Sequence, residues 1–283
     1  MSEALTDHPL ARRRQAGEFL RSRRGRLAPS DVGLPHGFRR RTPGLRREEV
    51  ASLAGVGTTW YTWLEQGREI RPSHEVLTAL ADVLRLDPAE RQHLFSLYDR
   101  PTSDRHAFGE EQVDEPLQRM VDGLAGQPVL VLGWRWDILT WNKAAELLIG
   151  PFAGVWGNRT NVLELLLSEP ARHLFVDWEA VARGAIATFR ADCTQYVGDA
   201  EFETLVARLS RLSPEFSAWW PQHDVAHRLA GRKRLNHPTA GSMCFDFSML
   251  AVCGRPGTKL CIFTAIDDED TPRKLSGLLK ELH

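Results

Sequence analysis

The stretch Leu45–Arg68, LRREEVASLAGVGTTWYTWLEQGR, constrains this chain more than any other. Leu45, Val50, Leu53 and Ala54 fall near one helical face, Gly55 breaks that helix, and a second begins at Gly57 or Thr58. Gly67 then closes it as a C-terminal stop. Two helices this short cannot stand alone in water, so they need a helical frame. The neighbouring sequence supplies one. Leu10 to Arg24 forms a helix with an arginine-rich face, and Pro29 to Pro43, with three prolines and two glycines, reads as a loop. Ser73 starts a helix over His74–Arg85 with Val76, Leu77, Leu80, Val83 and Leu84 at core spacing. Asp87-Pro88-Ala89-Glu90 opens another, running to Tyr98, because Asp caps, Pro takes the first helical position and Glu sits three residues on. Residues 1–100 therefore read as a compact all-α domain of five helices.

Residues 99–113 are polar, with Pro and Gly, and read as a hinge. The division is 1–100, a linker at 101–113, and a second domain at 114–283. In that domain the pattern changes to Pro128–Gly133 and Asp137–Trp141 as strands around a turn at Arg135-Trp136, then a helix from Asn142 to Ile149. A long helical stretch runs from Asn161 to about His223, interrupted near Pro170, Gly198 and Pro214. Strands return at Arg232–His237, Gly241–Leu250 and Thr258–Ala265, and Asp270–Leu282 closes as a helix. This order predicts an α+β domain with a five-stranded antiparallel sheet.

The net charge of −1 hides an asymmetry: residues 1–50 carry 12 Arg against 6 acids, and the first hundred residues contain no Lys. A basic end on an otherwise acidic chain points to a polyanionic partner. No eighteen-residue apolar run exists, and the N-terminal arginine cluster has no apolar run behind it, so neither a membrane span nor a signal peptide is expected. Cys193, Cys244, Cys253 and Cys261 form no CxxC pair and have no histidines at zinc spacing; buried thiols in a reducing cytoplasm are expected, with no metal and no cofactor. The chain lacks GxSxG, HExxH, a P-loop and GxGxxG after a strand, and His173, Asp177 and Glu179 have neither triad nor acid–base spacing. Catalysis is not expected.

The 45–68 segment resembles the XRE family of regulators, which shares its fold with the lambda and Cro repressors. The match lies at Leu45, Glu48, Glu49, Ala51, Gly55, Val56, Leu64, Glu65 and Gly67. It departs at Gly57, where the family usually places a Ser or Thr cap, a role Thr58 can take, and in the aromatic Trp60-Tyr61…Trp63. The resemblance implies a helix-turn-helix on double-stranded DNA, with Ala51 at the helix crossing and Val56 and Leu64 buried. It sets Thr58, Thr59, Thr62 and Trp63 at base edges and Arg41, Arg46 and Arg47 on phosphates. Since threonine and tryptophan offer few hydrogen bonds, arginine contacts should dominate affinity and make it steeply salt-dependent.

Further segments, W-D-I-L-T-W-N-K-A-A (136–145), P-E-F-S-A-W-W-P-Q-H-D-V (214–225) and G-R-K-R-L-N-H-P (231–238), resemble the C-terminal domain of MmyB-like regulators. That resemblance implies a PAS-like domain holding a small apolar or fatty-acid-like ligand in a cytoplasmic homodimer. Seven of nine tryptophans lie beyond residue 130, so an aromatic-walled cavity is one reading and a ring-filled core the other. Trp136, Trp141, Asn142, Arg190, Trp220 and His223 are the candidate ligand contacts, while His223-Asp224 also reads as a structural pair. The alternative leaves the second domain as a dimerisation module without ligand.

Overall fold

A computed structural model describes residues 7–35, 44–98, 111, 113–152, 160–227 and 230–280. The chain forms two compact units that are not contiguous in sequence. One comprises Met1–Thr102, Arg190–Arg208 and Ala218–Ala226; the other comprises Ser103–Phe189, Leu209–Ser217 and His227–His283.

The first unit is helical: α1 (Asp7–Arg26), α2 (Arg47–Leu53), α3 (Thr58–Glu65), α4 (His74–Val83) and α5 (Pro88–Tyr98). Local chemistry sets the boundaries. Ser73 Oγ accepts from the Val76 N–H at 3.3 Å at the start of α4. At α5, Asp87 Oδ1 accepts from Glu90 N at 2.8 Å while Asp87 N donates to Glu90 Oε2 at 3.1 Å, a reciprocal capping box. Gly55 takes φ 69°, the left-handed turn between α2 and α3. Where α1 crosses α3, a Cβ on Gly17 would sit 2.4 Å from the Glu65 carbonyl oxygen, so only glycine lets the backbones approach this closely. Phe19, Leu20, Leu45, Val50, Ala51, Tyr61, Leu64 and Leu80 fill the core, the larger side chains stabilising it by about 1.5–3 kcal/mol each. Val225 is buried in the same cluster and Ala191 packs against it, both from the part of the sequence assigned above to the second domain.

The second unit is α+β. Strands β1 (Val129–Leu132), β2 (Ile138–Trp141), β3 (Ala230–His237), β4 (Gly241–Ala251) and β5 (Lys259–Ala265) form one antiparallel sheet in the order β2-β1-β5-β4-β3. Beyond residue 113 the helices are α6 (Glu115–Gly123), α7 (Lys143–Ile149), α8 (Val162–Leu166), α9 (Glu169–Leu174), α10 (Trp178–Asp192), α11 (Ala200–Leu212), α12 (Pro214–Trp219) and α13 (Thr271–Lys280), with the end of α10, most of α11 and the end of α12 belonging to the first unit. The sheet is covered on both faces. Val129, Val131 and Leu260 pack with Leu117 and Val121 of α6, while the alternate residues Leu130, Leu132 and Cys261 turn to the opposite side.

Three details depart from the sequence expectations. Helix α6 was not anticipated, although Asp114 caps it by accepting from Leu117 N at 3.0 Å and Pro116 lies in its first turn. The long helical stretch breaks additionally at Phe175, which is extended and bridges Leu235, with Val176 N donating to Arg234 O at 3.1 Å. The unpaired edge of β3 captures the chain there. Finally, Cys253 is exposed, whereas Cys193, Cys244 and Cys261 are buried thiols.

Candidate DNA-reading helix and apolar cavity

Helix α3 begins at Gly57, whose extended backbone makes it the N-cap without any side-chain bond. Thr58 is therefore the first helical residue and not the cap. Thr58, Thr59 and Trp63 are exposed on one side of α3 and Thr62 is half-buried, while Tyr61 and Leu64 are buried on the other. The Thr62 hydroxyl donates to the Thr58 carbonyl at 2.8 Å, which commits its proton and leaves the methyl group and an oxygen lone pair for a partner. Trp63 is 40% exposed, and the Arg68 guanidinium lies 5.4 Å from its ring centroid.

The basic residues divide. Arg46 is exposed, with its backbone N–H held by Glu49 Oε2 at 2.7 Å. Arg47 instead pairs its Nε with Glu65 Oε2 at 2.7 Å. The fully buried Glu65 carboxylate is gripped from its other side by Arg24 at 2.6 Å. Burial alone would raise the Glu65 pKa, but hydrogen bonds and charge from Arg24 and Arg47 hold it below the usual carboxylate value. Arg47 thus has a structural partner that its assignment to phosphate did not include. Arg41 lies outside the described residues.

The second unit encloses a cavity of about 460 Å³, within the range of small-molecule sites. Its floor is a cross-strand row: Leu130 on β1 pairs with Cys261 on β5, which pairs with Met249 on β4, and Phe263 pairs with Phe247 beside them. Register puts paired residues on the same face, so antiparallel pairing alone assembles this floor. Trp136 also lines the cavity. It is buried with φ 65°, a left-handed conformation that bulky residues rarely adopt, and its ring meets Phe189 edge-on at 5.4 Å. Helix α10 supplies a wall of small residues, Ala180, Val181, Gly184, Ala185 and Thr188, at helical spacing. No acidic residue lines the cavity among the described residues; Lys233 and His237 are its basic groups. His237 is largely committed elsewhere, with Nε2 donating to Leu147 O at 3.0 Å and Nδ1 accepting from Ala240 N at 3.1 Å.

Of the six residues expected at a ligand, Trp136 alone lines this cavity. Asn142 is the N-cap of α7. Its Oδ1 accepts from Val129 N at 3.1 Å and Ala145 N at 3.0 Å, and its Nδ2 donates to Leu124 O at 3.0 Å and Gln127 O at 2.7 Å. Every hydrogen-bonding position of that amide is used. Trp141 shares the cavity face of the sheet but sits on edge strand β2, 5.2 Å from the Phe152 ring. Arg190, Trp220 and His223 belong to the helical unit and cluster there. The Arg190 guanidinium lies 3.7 Å from the Trp220 ring centroid and 3.3 Å from His223 Nδ1. Lys233 was missed because it lies in the basic run Arg232-Lys233-Arg234, where nothing local marks the middle residue as facing inward.

An arginine-bearing helix-turn-helix and a walled apolar cavity on one chain define a one-component regulator. Comparison with known proteins agrees: a helix-turn-helix domain matches residues 15–94, and the MmyB-like transcription regulator ligand binding domain matches residues 113–279. The chain belongs to the MmyB-like transcription regulators and is a DNA-binding regulator with a ligand-binding domain. No curated protein matches it. No described helix is long and apolar enough to cross a membrane.

Proposed function

We propose that this chain is a cytoplasmic regulator that binds an operator as a two-fold pair and answers to an elongated apolar ligand with an anionic end, of fatty-acid type. The observation that carries this reading is the cavity itself: a largely apolar lining, no acid among its described residues, and one ammonium, Lys233. An apolar chain gains free energy along the floor and the α10 wall, and a carboxylate gains a charge-assisted hydrogen bond from Lys233. Bases are read by Thr58, Thr59, Thr62 and Trp63, through methyl and ring contacts more than through hydrogen bonds. Arg46 holds phosphate; Arg47 braces α2 against α3 through Glu65 and contributes less.

Titration of intrinsic tryptophan fluorescence with palmitate and with methyl palmitate tests the ligand half. Palmitate should bind, and Lys233→Met should weaken it by roughly tenfold, about 1.4 kcal/mol, while leaving the ester unchanged. Equal binding of acid and ester by the parent protein would remove Lys233 from the role, and failure of both to bind would remove the ligand class.

A further inference from the structure

The helical unit contains more than a helix-turn-helix, and what completes it comes from inside the ligand-binding region. Residues Arg190–Arg208 and Ala218–Ala226 lie within the matched 113–279 span yet pack in the DNA-binding unit. Their contacts are specific. Val225 is buried in the core with Phe19, Leu94 and Tyr61. Thr194 Oγ1 lies 2.7 Å from His93 Nδ1 of α5, both residues buried. On α1, Ser22 Oγ donates to Gln222 O at 3.0 Å, Arg26 pairs with Asp224 at 2.6 Å, and Arg23 donates to His223 O. Arg190 binds this segment, donating to the Trp220 carbonyl and lying against the Trp220 ring.

Arg190 is also part of α10. The same unbroken helix, Trp178–Asp192, presents Gly184, Ala185 and Thr188 to the cavity and, about 9 Å along its axis from Gly184 at 1.5 Å per residue, carries Arg190 into the helical unit. A helix of this length moves as a rod, because shifting one end alone breaks its hydrogen bonds. The cavity-facing residues on it are small, so a ligand rests against backbone and short side chains that cannot swing aside.

We propose that α10 is the transmission element of this regulator, and that Arg190 couples cavity occupancy to the DNA-binding helices by clamping the Trp220–Val225 segment onto α1. The inference rests on the cavity being a ligand site, and it makes Arg190 a positioning residue that touches neither ligand nor DNA. A ligand changes the head only by favouring one placement of α10 over another. Burial of the Arg190 side chain, which together with the Arg23 charge lowers its pKa to about 9, makes the clamp sensitive to a displacement that an exposed ion pair would absorb.

Hydrogen-exchange mass spectrometry on the full chain tests this. Two ways of filling the cavity are compared, palmitate and the substitution Gly184→Leu, with Ala185→Leu as a second filler where Gly184→Leu does not fold. Filling should slow exchange in β1, β4 and α10 and, in the parent protein, change exchange in α1 by at least twofold. In Arg190→Met the sheet response should persist and the α1 response should vanish, whereas Arg190→Lys should restore part of it. Merely structural loss would raise α1 exchange equally in the filled and empty states. A sheet response without any α1 response in the parent overturns the proposal, as does an Arg190→Met protein that responds like the parent. Absence of a sheet response to palmitate alone refutes the fatty-acid reading of the cavity, and the substituted fillers then still decide the coupling.

Discussion

His223 carries the sharpest residue-scale consequence. Burial and the nearby charges of Arg190, Arg23 and Arg26 lower its pKa from 6.5 to about 3, against the weaker pull of Asp224, while Glu18 Oε2 stands 3.7 Å from its Nε2. The folded protein therefore holds a neutral imidazole at a pH where the unfolded chain binds a proton. Between about pH 6.5 and pH 3 the unfolded state binds more protons, so stability rises with pH through this window and levels off above it. The slope from this group is at most about 1.4 kcal/mol per pH unit. Urea titrations at several pH values should show that slope in the parent and lose it in His223→Asn. Asparagine is chosen because position 223 has φ 55°, which it tolerates. Asn142 shows how far single residues were legible. Its sequence context, polar after a strand and before a helix, fits a cap and a ligand anchor equally well. What separates them is the set of backbone groups from Val121–Val129 that converge on the amide, and these come from a turn whose path the sequence does not state. Asn142→Ala leaves several buried backbone groups without partners and should lower unfolding free energy by about 2–4 kcal/mol, read by the same titrations.

At the scale of elements, helices and strands were legible because each carries its own start and stop. Ser73, Asp87 and Asn142 cap, glycines end α2 and α3, and a short apolar run between Pro128 and Gly133 marks β1. Phe175 escaped because its extended backbone is imposed by Leu235 on β3, sixty residues away in sequence, and not by any breaker beside it. The α2–α3 pair yields a contrast between neighbouring arginines. Arg46 is exposed at the mouth of α2, so Arg46→Ala should leave thermal stability unchanged and reduce the slope of log K against log salt by about 0.9. Arg47 is tied to a buried carboxylate, so Arg47→Ala should lower stability, with Arg24 still pairing Glu65, and alter the salt slope less. Fluorescence anisotropy on a library-selected duplex at several salt concentrations, beside thermal melts, separates the two effects. Equal slopes and equal melts for both variants would show that the Arg47–Glu65 pair does not distinguish them.

At the scale of the whole molecule, compact units and sequence segments do not coincide. Composition places the hinge at 101–113, and composition records only where the chain is polar. It holds no record that Val225 and Ala191 return to a core built from residues before position 100. The consequence is testable by truncation. A chain ending at Thr102 keeps α1 to α5 but loses Val225, which is buried in the same core as Phe19, and the hydroxyl of Thr194 that meets His93. Burial of a valine is worth about 1.5 kcal/mol or more, and the buried His93–Thr194 hydrogen bond contributes about 1 kcal/mol. For a domain of this size, 1 kcal/mol moves the melting temperature by roughly 4–8 °C. The fragment should therefore melt at least 10 °C below the helical unit of the intact protein, followed through exchange of the α1 and α5 amides on heating. Single replacements in the full chain, Val225→Ala and Thr194→Val, should each reproduce part of that loss without touching the sheet. If the fragment instead kept the full protection of α1 and α5, the two returning segments would be bystanders, and the DNA-binding head would be independent of the domain that binds ligand.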